Sequence, residues 1–446
     1  MIGALAVLVF ALAGLGGRSA SAAPACAPMT ETAASRLTLA DAVTLVLCSS
    51  PQLGQAIQLV DEKAAGVDLA RSAFNPRFSA AAELSANRIP SSDSAAGSLR
   101  SSATGSLGMS WVFYDSGVRR ANLAQSNWQL ASARSAHENA VLTALNEVLR
   151  LYVEAADAST RLEALRDAEE SARQILLAAD ARHAAFVGSL NEKLQAQTAV
   201  ARARVERVKG EGTWLVARGL LALAMGLAPE LALKLAPVDE AFRSAPQEPL
   251  GQPPQPLPLT DHPRVRGAQA EILALRSRLE SVRAESGPSV SLGVGSSATR
   301  DLRATDRGFD HRLSGSVYAS IPLFNQQEAR AREGEILAQI AGREAVLAQV
   351  EREVRADAWR AEQVLDAESR NLAEAKILLD TALQGWQIAL GRYRAGVGPM
   401  LELLASQDAL SAARVQLTQS QLAVAQARLK LLAAAGKAWF MTSPPG

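Results

Sequence analysis

The stretch GRYRAGVGPMLELLASQ, Gly391 to Gln407, interrupts an Ala/Leu/Glu-rich run that otherwise reads as unbroken helix. Gly396, Gly398 and Pro399 break the pattern, and helix resumes at once. A second stretch, ARHAAFVGSLNEKLQAQ, Ala181 to Gln197, has the same shape. Arg182 answers Arg392, Val187 answers Val397, Gly188 answers Gly398, Glu192 answers Glu402 and Gln197 answers Gln407, each 210 positions apart (392 − 182 = 210). An interruption repeated at one offset is a built turn between two helices.

The repetition extends outward from these turns. Ser50-Pro51-Gln52-Leu53 answers His262-Pro263-Arg264-Val265, and Asn75-Pro76 answers Gly287-Pro288, both proline pairs 212 apart (263 − 51 = 212; 288 − 76 = 212). Val112-Phe113-Tyr114-Asp115 answers Pro322-Leu323-Phe324-Asn325. The chain therefore divides into a first repeat, 23–236, and a second, 263–446, each too long for a solenoid unit. Between them, 237–262 is a Pro-rich segment that favours an extended linker.

Each repeat reads helix, strand, strand, long helix, turn, long helix. The long helices are expected at ~116–187 and ~190–227, and again at ~326–395 and ~400–436; the first would be ~100 Å long. Val141, Leu145, Val148, Tyr152, Ala155 and Leu162 mark a coiled-coil seam. Taken alone, these helices suit an antiparallel coiled-coil rod, a periplasmic structural or adaptor protein.

The strands point elsewhere. Phe78, Ala80, Ala82, Leu84 and Ala86 alternate with Ser79, Ala81, Glu83, Ser85 and Asn87. Similar alternation marks Leu107 to Phe113, Val290 to Val294 and Leu313 to Ile321. Strands are expected at ~77–88, ~103–114, ~288–298 and ~311–323, about the ten residues of a tilted membrane-spanning strand. A soluble sheet packed on a helix remains the alternative. Arg88 to Ser102 and Thr299 to Phe309 read as loops at the solvent-exposed end. Four strands cannot close a membrane barrel, so the open edges imply a homo-oligomer of unstated number.

Composition excludes other classes. Lys and Arg total 46 against 45 Asp and Glu, a net charge of +1, which offers no footprint for nucleic acid. IGALAVLVFALAGLGG followed by Ala20-Ser21-Ala22 reads as a secretory signal over 1–22, although no basic residue precedes the apolar run. No later apolar run reaches the ~20 residues of a spanning helix. Cys26 and Cys48 are disulfide candidates in an oxidising compartment, with unpaired thiols or a lipid anchor on Cys26 as alternatives. There is no phosphate-binding glycine loop, and His137, His183, His262 and His311 lack ligand spacing. No enzyme activity, cofactor or metal is expected.

The duplicated strand–strand–helix–helix unit, the Phe113-Tyr114-Asp115-Ser116-Gly117 junction and the paired Val-Gly turns together resemble the TolC family of outer-membrane channels. The resemblance covers nearly all of the chain beyond the signal. The two cysteines and the LTLADAVTLVLCSSPQL opening, Leu37 to Leu53, look most like channels of type I protein secretion. The resemblance implies an α+β membrane protein: a homotrimer sharing a twelve-stranded outer-membrane β-barrel, with a long periplasmic α-helical barrel. It implies outer-membrane lipid, a periplasmic adaptor, an inner-membrane ABC transporter and an exported protein cargo, a toxin of the cyclolysin or haemolysin kind. Small-molecule efflux with another pump is the alternative.

Site residues follow from the same resemblance. Val187, Gly188 and Ser189, with Gly396, Val397, Gly398 and Pro399, would be the tip turns that meet the adaptor's helical hairpins. Their glycines would supply positive φ. Glu402 takes the place of an acidic residue ringing the pore constriction, with Glu192 nearby. The second acidic ring falls on Ala405. Tyr393 takes the place of a gate tyrosine. Its family arginine partner falls on Gly398, so that bond is either missing or supplied by Arg392 or Arg394.

Overall fold

A computed structural model of the chain describes residues 36–91, 94–237, 259–302, 308–324 and 326–436, with the backbone alone over 88–100. The expected signal, Cys26 and most of the linker lie outside these residues.

The first repeat opens with α1, Leu39–Ser49, and α2, Pro51–Ser72. Thr38 and Asp41 form a reciprocal capping box at the start of α1, and Pro51 sits in the first turn of α2. Strands β1, Arg77–Ser91, and β2, Ser94–Tyr114, lead into α3, Val118–Ala184, and α4, Leu190–Ala224. The second repeat supplies α5, Pro263–Glu285, then β3, Ser289–Asp301, and β4, Asp310–Ser320. It ends with α6, Gln326–Arg394, and α7, Met400–Ala434.

The strands form one antiparallel sheet in the order β1-β2-β3-β4. Two expected loops are corrected here. The stretch 88–102 is mostly strand, giving β1 and β2 lengths of 15 and 21 residues, and β3 runs on to Asp301. Ladder hydrogen bonds come from the backbone, so a Ser/Ala run pairs without an apolar pattern to announce it. The register shift between Ile89 and Ser91 falls at Pro90, which has no N–H to give. β4 stops at Ser320 rather than 323, just before Ile321-Pro322. α4 stops at Ala224, where Gly226 at φ 74° closes the helix end.

The two faces of the sheet differ. Phe78 lies opposite Met109, Trp111 opposite Leu292, and Leu292 opposite Val317. Apolar side chains on this face stand in the open, with Leu84 80% and Leu313 81% exposed. On the other face Ser79, Gly108, Gly295 and Ser314 form one continuous row, and Glu83, Thr104, Thr299 and Asp310 form another. Hydroxyls bridge neighbouring strands there, Ser85 to Ser102 at 2.8 Å and Thr104 to Thr299 at 3.1 Å. An exposed apolar face backed by a polar one is the pattern of a strand set between lipid and water.

Three residues join β2 to α3. Ser116 and Gly117 both adopt positive φ, at 52° and 105°. Asp115 Oδ2 accepts from the Arg119 backbone N at 2.9 Å and from Arg119 Nε at 2.8 Å. The Arg119 guanidinium lies 5.0 Å from the centre of the Phe74 ring, and Ser116 Oγ donates to Pro288 O at 2.7 Å. The elbow of the first repeat is thus fastened to the second.

The helices form a layer built around the two long ones. α3 packs on α2 and α5 near the sheet, and on α4 and α7 farther away; α6 packs on α5 and then on α7. Leu145, Val148 and Tyr152 of α3, Leu39 and Val43 of α1, and Leu221 of α4 share one buried core at mid-height. Tyr152 Oη donates to Leu37 O at 2.8 Å inside it. Lower down, Glu169 of α3 is only 4% exposed. It accepts from Arg173 Nη2 at 2.6 Å, Arg207 Nε at 2.7 Å and Arg204 Nε at 3.5 Å, which pins α4 to α3. Burial alone would raise its pKa; Arg207, Arg173 and Arg204 outweigh this and hold it below the ordinary value.

No single described helix is long and apolar enough to cross a membrane. α1 and α2 approach that composition together, but they bend by 50° at their junction.

Candidate docking and gate site at the helix-hairpin ends

Both long-helix hairpins close in the same way. At the end of α3, Val187 N and Gly188 N each donate to Arg182 O at 3.0 Å, and Phe186 N donates to His183 O at 3.0 Å. At the end of α6, Val397 N and Gly398 N each donate to Arg392 O at 3.1 Å, and Gly396 N donates to Tyr393 O at 3.1 Å. One carbonyl thus receives two N–H groups in each turn, which satisfies donors that a reversing chain would otherwise leave bare.

The expected reason for the glycines needs correcting. Gly188 and Gly398 do not hold positive φ. They are glycines because a Cβ would lie 3.1 Å from Arg182 Cβ in one turn and 2.9 Å from Arg392 Cβ in the other. The left-handed position comes two residues earlier. It is Gly396, at φ 77°, in the second turn and Phe186, at φ 58°, in the first. A bulky side chain there costs on the order of 1–2 kcal/mol. Phe186 escaped notice in the sequence, although its place opposite Gly396 (396 − 186 = 210) could have exposed it. Ser189 caps α4 by accepting from Glu192 N at 3.2 Å, and Pro399 is the residue preceding α7.

Behind the turns, Ile175, Ala179, Ala196, Ala389, Met400 and Leu403 form a small core around Tyr393, which is 4% exposed. Arg182 is the arginine that meets this tyrosine. Its guanidinium lies 5.1 Å from the ring centre, and Nη1 donates to Tyr393 O at 3.4 Å. The expected partners Arg392 and Arg394 do not make this contact. Arg392 turns to its own hairpin and donates to Glu402 Oε1 at 2.8 Å. The contact with Arg182 crosses between repeats, so neighbours in sequence could not reveal it. Arg394 has no ion pair among the described residues. Glu192, the counterpart of Glu402, keeps a buried Oε2 without a hydrogen bond, as do Tyr393 Oη and Arg182 Nε. Burial first, and the Glu192 charge after it, push the Tyr393 pKa up against the opposing pull of Arg182. The hydroxyl is therefore neutral at every physiological pH. A groove of about 700 Å³ runs beside this cluster, lined by Ile175, Trp386, Leu390 and Leu403 with Arg182 and Arg394.

The family described as outer membrane efflux protein matches this chain twice, over residues 42–227 and 257–437. The chain belongs to that family. Its members are transport channels of the outer membrane, with a helical barrel reaching into the periplasm. Protein CyaE of Bordetella pertussis (strain Tohama I) is 30% identical over 418 residues, covering 90% of this chain and 84% of that protein. The pyoverdine export outer membrane protein OpmQ of Pseudomonas aeruginosa is 27% identical over 304 residues, 67% of this chain and 62% of OpmQ. Among solved structures, the outer membrane protein VceC of Vibrio cholerae superposes with a TM-score of 0.73 at 17% identity, over 89% of this chain and 96% of VceC.

Family membership places the apolar sheet face against lipid and the hydroxyl-lined face toward the lumen. Channels of this fold are trimers that work with adaptors and inner-membrane transporters, and three chains of four strands complete the barrel. The helix-hairpin ends then stand at the end farthest from the outer membrane. Cys48 carries a disulfide bond, and the chain's other cysteine, Cys26, lies outside the described residues.

Proposed function

We propose that this chain is the exit duct of a type I secretion system, passing an unfolded protein toxin of the cyclolysin or haemolysin kind across the outer membrane. The observation that carries the reading is the hydroxyl-and-glycine face of the sheet, with its Ser79–Gly108–Gly295–Ser314 row. An unfolded polypeptide presents every kind of side chain in turn. A duct for it does best with small, polar, unselective walls and no apolar pocket to hold a segment back. The resemblance of the α1 opening to channels of type I secretion supports the same cargo.

In this reading the energy comes from an inner-membrane ABC transporter, since the chain carries no phosphate-binding loop. The adaptor docks at Val187, Gly188 and Ser189 and at Gly396, Val397, Gly398 and Pro399. Arg182 and Tyr393 hold the two hairpins of one chain together and keep the entrance narrow. Glu402, with Glu192 near it, faces the axis, and the charge of its ring is tempered by Arg392. A bridge between Cys48 and Cys26 fastens the first segment of the exported chain.

Small-molecule efflux is the second reading, favoured by the likeness to OpmQ. Deleting the gene separates the two. Loss of a large protein from the culture supernatant, with drug and siderophore tolerance unchanged, is the expected result. An unchanged supernatant with small molecules retained in the cell would transfer the duct to efflux.

A further inference from the structure

The two hairpin ends share their hydrogen bonds but not their side chains. Where the second turn places Gly396 in the left-handed conformation, the first places Phe186. This phenylalanine is 98% exposed. An aromatic side chain held in a disfavoured backbone conformation and pushed into water works against stability twice over. Neither folding nor solubility accounts for it, since glycine performs the same turn in the other repeat. Around it Val187 and Leu190 are exposed, and on the second hairpin Val397 and Leu401 are exposed as well. The end of the helical layer therefore carries an apolar patch with one protruding ring. Beside the patch, Arg394 keeps an unpaired charge among the described residues, while Arg392 and Glu402 cancel each other.

We propose that Phe186 is the anchor by which the first hairpin, rather than the second, holds the periplasmic adaptor. The ring seats in an apolar cleft between the two helices at the end of the adaptor's hairpin, and a carboxylate on the rim of that cleft meets Arg394. This rests on the docking of the adaptor at the turns proposed above. Aromatic side chains filling a desolvated pocket, with a charged rim around them, dominate interfaces of this kind. Charge selects such a partner over a second copy of the same tip. Two copies end to end would set unpaired arginines against each other, whereas an acidic-rimmed cleft answers them. A trimer presents two turns from each chain but one Phe186 from each. The register of docking is consequently three-fold, although the backbone of the tip repeats six times.

A photo-crosslinking residue, p-benzoylphenylalanine, placed at Val397 of the full-length channel in cells reports docking without altering Phe186. With Phe186 present, the captured peptide should come from the end of the adaptor's helical hairpin and contain an acidic residue. Phe186→Gly should lower that capture about tenfold or more. The trimer isolated in mild detergent should persist and melt no lower, because glycine is the second turn's own solution. Undiminished capture in F186G overturns the anchor and leaves docking at the turns standing. Absence of any adaptor peptide in the parent channel overturns the docking reading and the anchor with it. Capture of this chain's own tip peptide assigns the patch to a second copy and overturns the proposal.

Discussion

Arg182 and Tyr393 join the two repeats at the end farthest from the sheet: the guanidinium of one lies 5.1 Å from the ring centre of the other. Removing it leaves the α3–α4 and α6–α7 hairpins with fewer ties. A contact of this kind is worth about 1 kcal/mol, which shifts a closed–open balance about fivefold. Arg182→Ala should therefore raise the open fraction of single channels in a planar bilayer. Conductance and open fraction equal to the parent's would show that this contact is not part of the gate.

In the proposed duct, the charge at the entrance depends on a pair, Arg392 and Glu402, rather than on one residue. Glu402→Gln frees Arg392 and should reduce cation selectivity in reversal-potential measurements. Arg392→Ala frees the carboxylate and should increase it. Both effects should shrink at high salt. If neither variant moves the reversal potential, the pair does not face the lumen.

Gly398→Val places a branched side chain where even a Cβ would approach Arg392 Cβ to 2.9 Å. The turn must shift, at a cost of about 1–3 kcal/mol. The barrel lies at the opposite end of the helices. Adaptor capture should consequently weaken, though less than in Phe186→Gly, while trimers still form in mild detergent; loss of trimers instead would make the turn chiefly structural.

Glu169 gives a pH signature. Its pKa is held below the ordinary carboxylate value, so the stability it contributes is fully present above an unfolded pKa of about 4.3 and is lost as pH falls through the folded value. Melting temperature should fall over that acidic window. Glu169→Gln should melt lower than the parent at neutral pH, with Arg173, Arg204 and Arg207 left without their shared carboxylate, and should lose part of the acid dependence. Parallel melting curves for the two proteins across that window would contradict this role.

If Cys48 bridges to Cys26, the loop spans 22 positions (48 − 26 = 22) and contributes about 3 kcal/mol. Intact mass without reductant should be two hydrogens lighter than the dithiol, and Cys48→Ser should loosen α1 toward proteolysis. A mass equal to the dithiol's excludes the pair.

The sequence made some of this legible and hid the rest for physical reasons. Alternation at Phe78 to Leu84 and at Leu107 to Phe113 marked strands because lipid on one face and water on the other write a period of two. Beyond Asn87 that period fades, and strand pairing continues on backbone hydrogen bonds that no side chain advertises. The seam through Leu145, Val148 and Tyr152 was readable because it is core at mid-height. The turns were readable from their repetition, but the reason for Gly398 was not, since crowding by Arg392 and a positive φ leave the same letter. Arg182 is visible in the repeat, yet its partner lies 211 positions away. Phe186 was hidden because it contradicts the preference of the position it occupies.

The clamped elbow at Asp115, Ser116 and Gly117 also has a mechanical consequence. A joint fastened to Arg119, Phe74 and Pro288 has little slack, so the barrel end of α3 behaves as a built-in support and the helix as a cantilever. Sixty-seven residues give it a length of about 100 Å. At that length, a sideways travel of about 10 Å at the free end needs only about 11° of curvature spread along the helix, within the gentle bending that long helices show. A wide iris at one end is thereby compatible with a seal at the lipid end that never has to move.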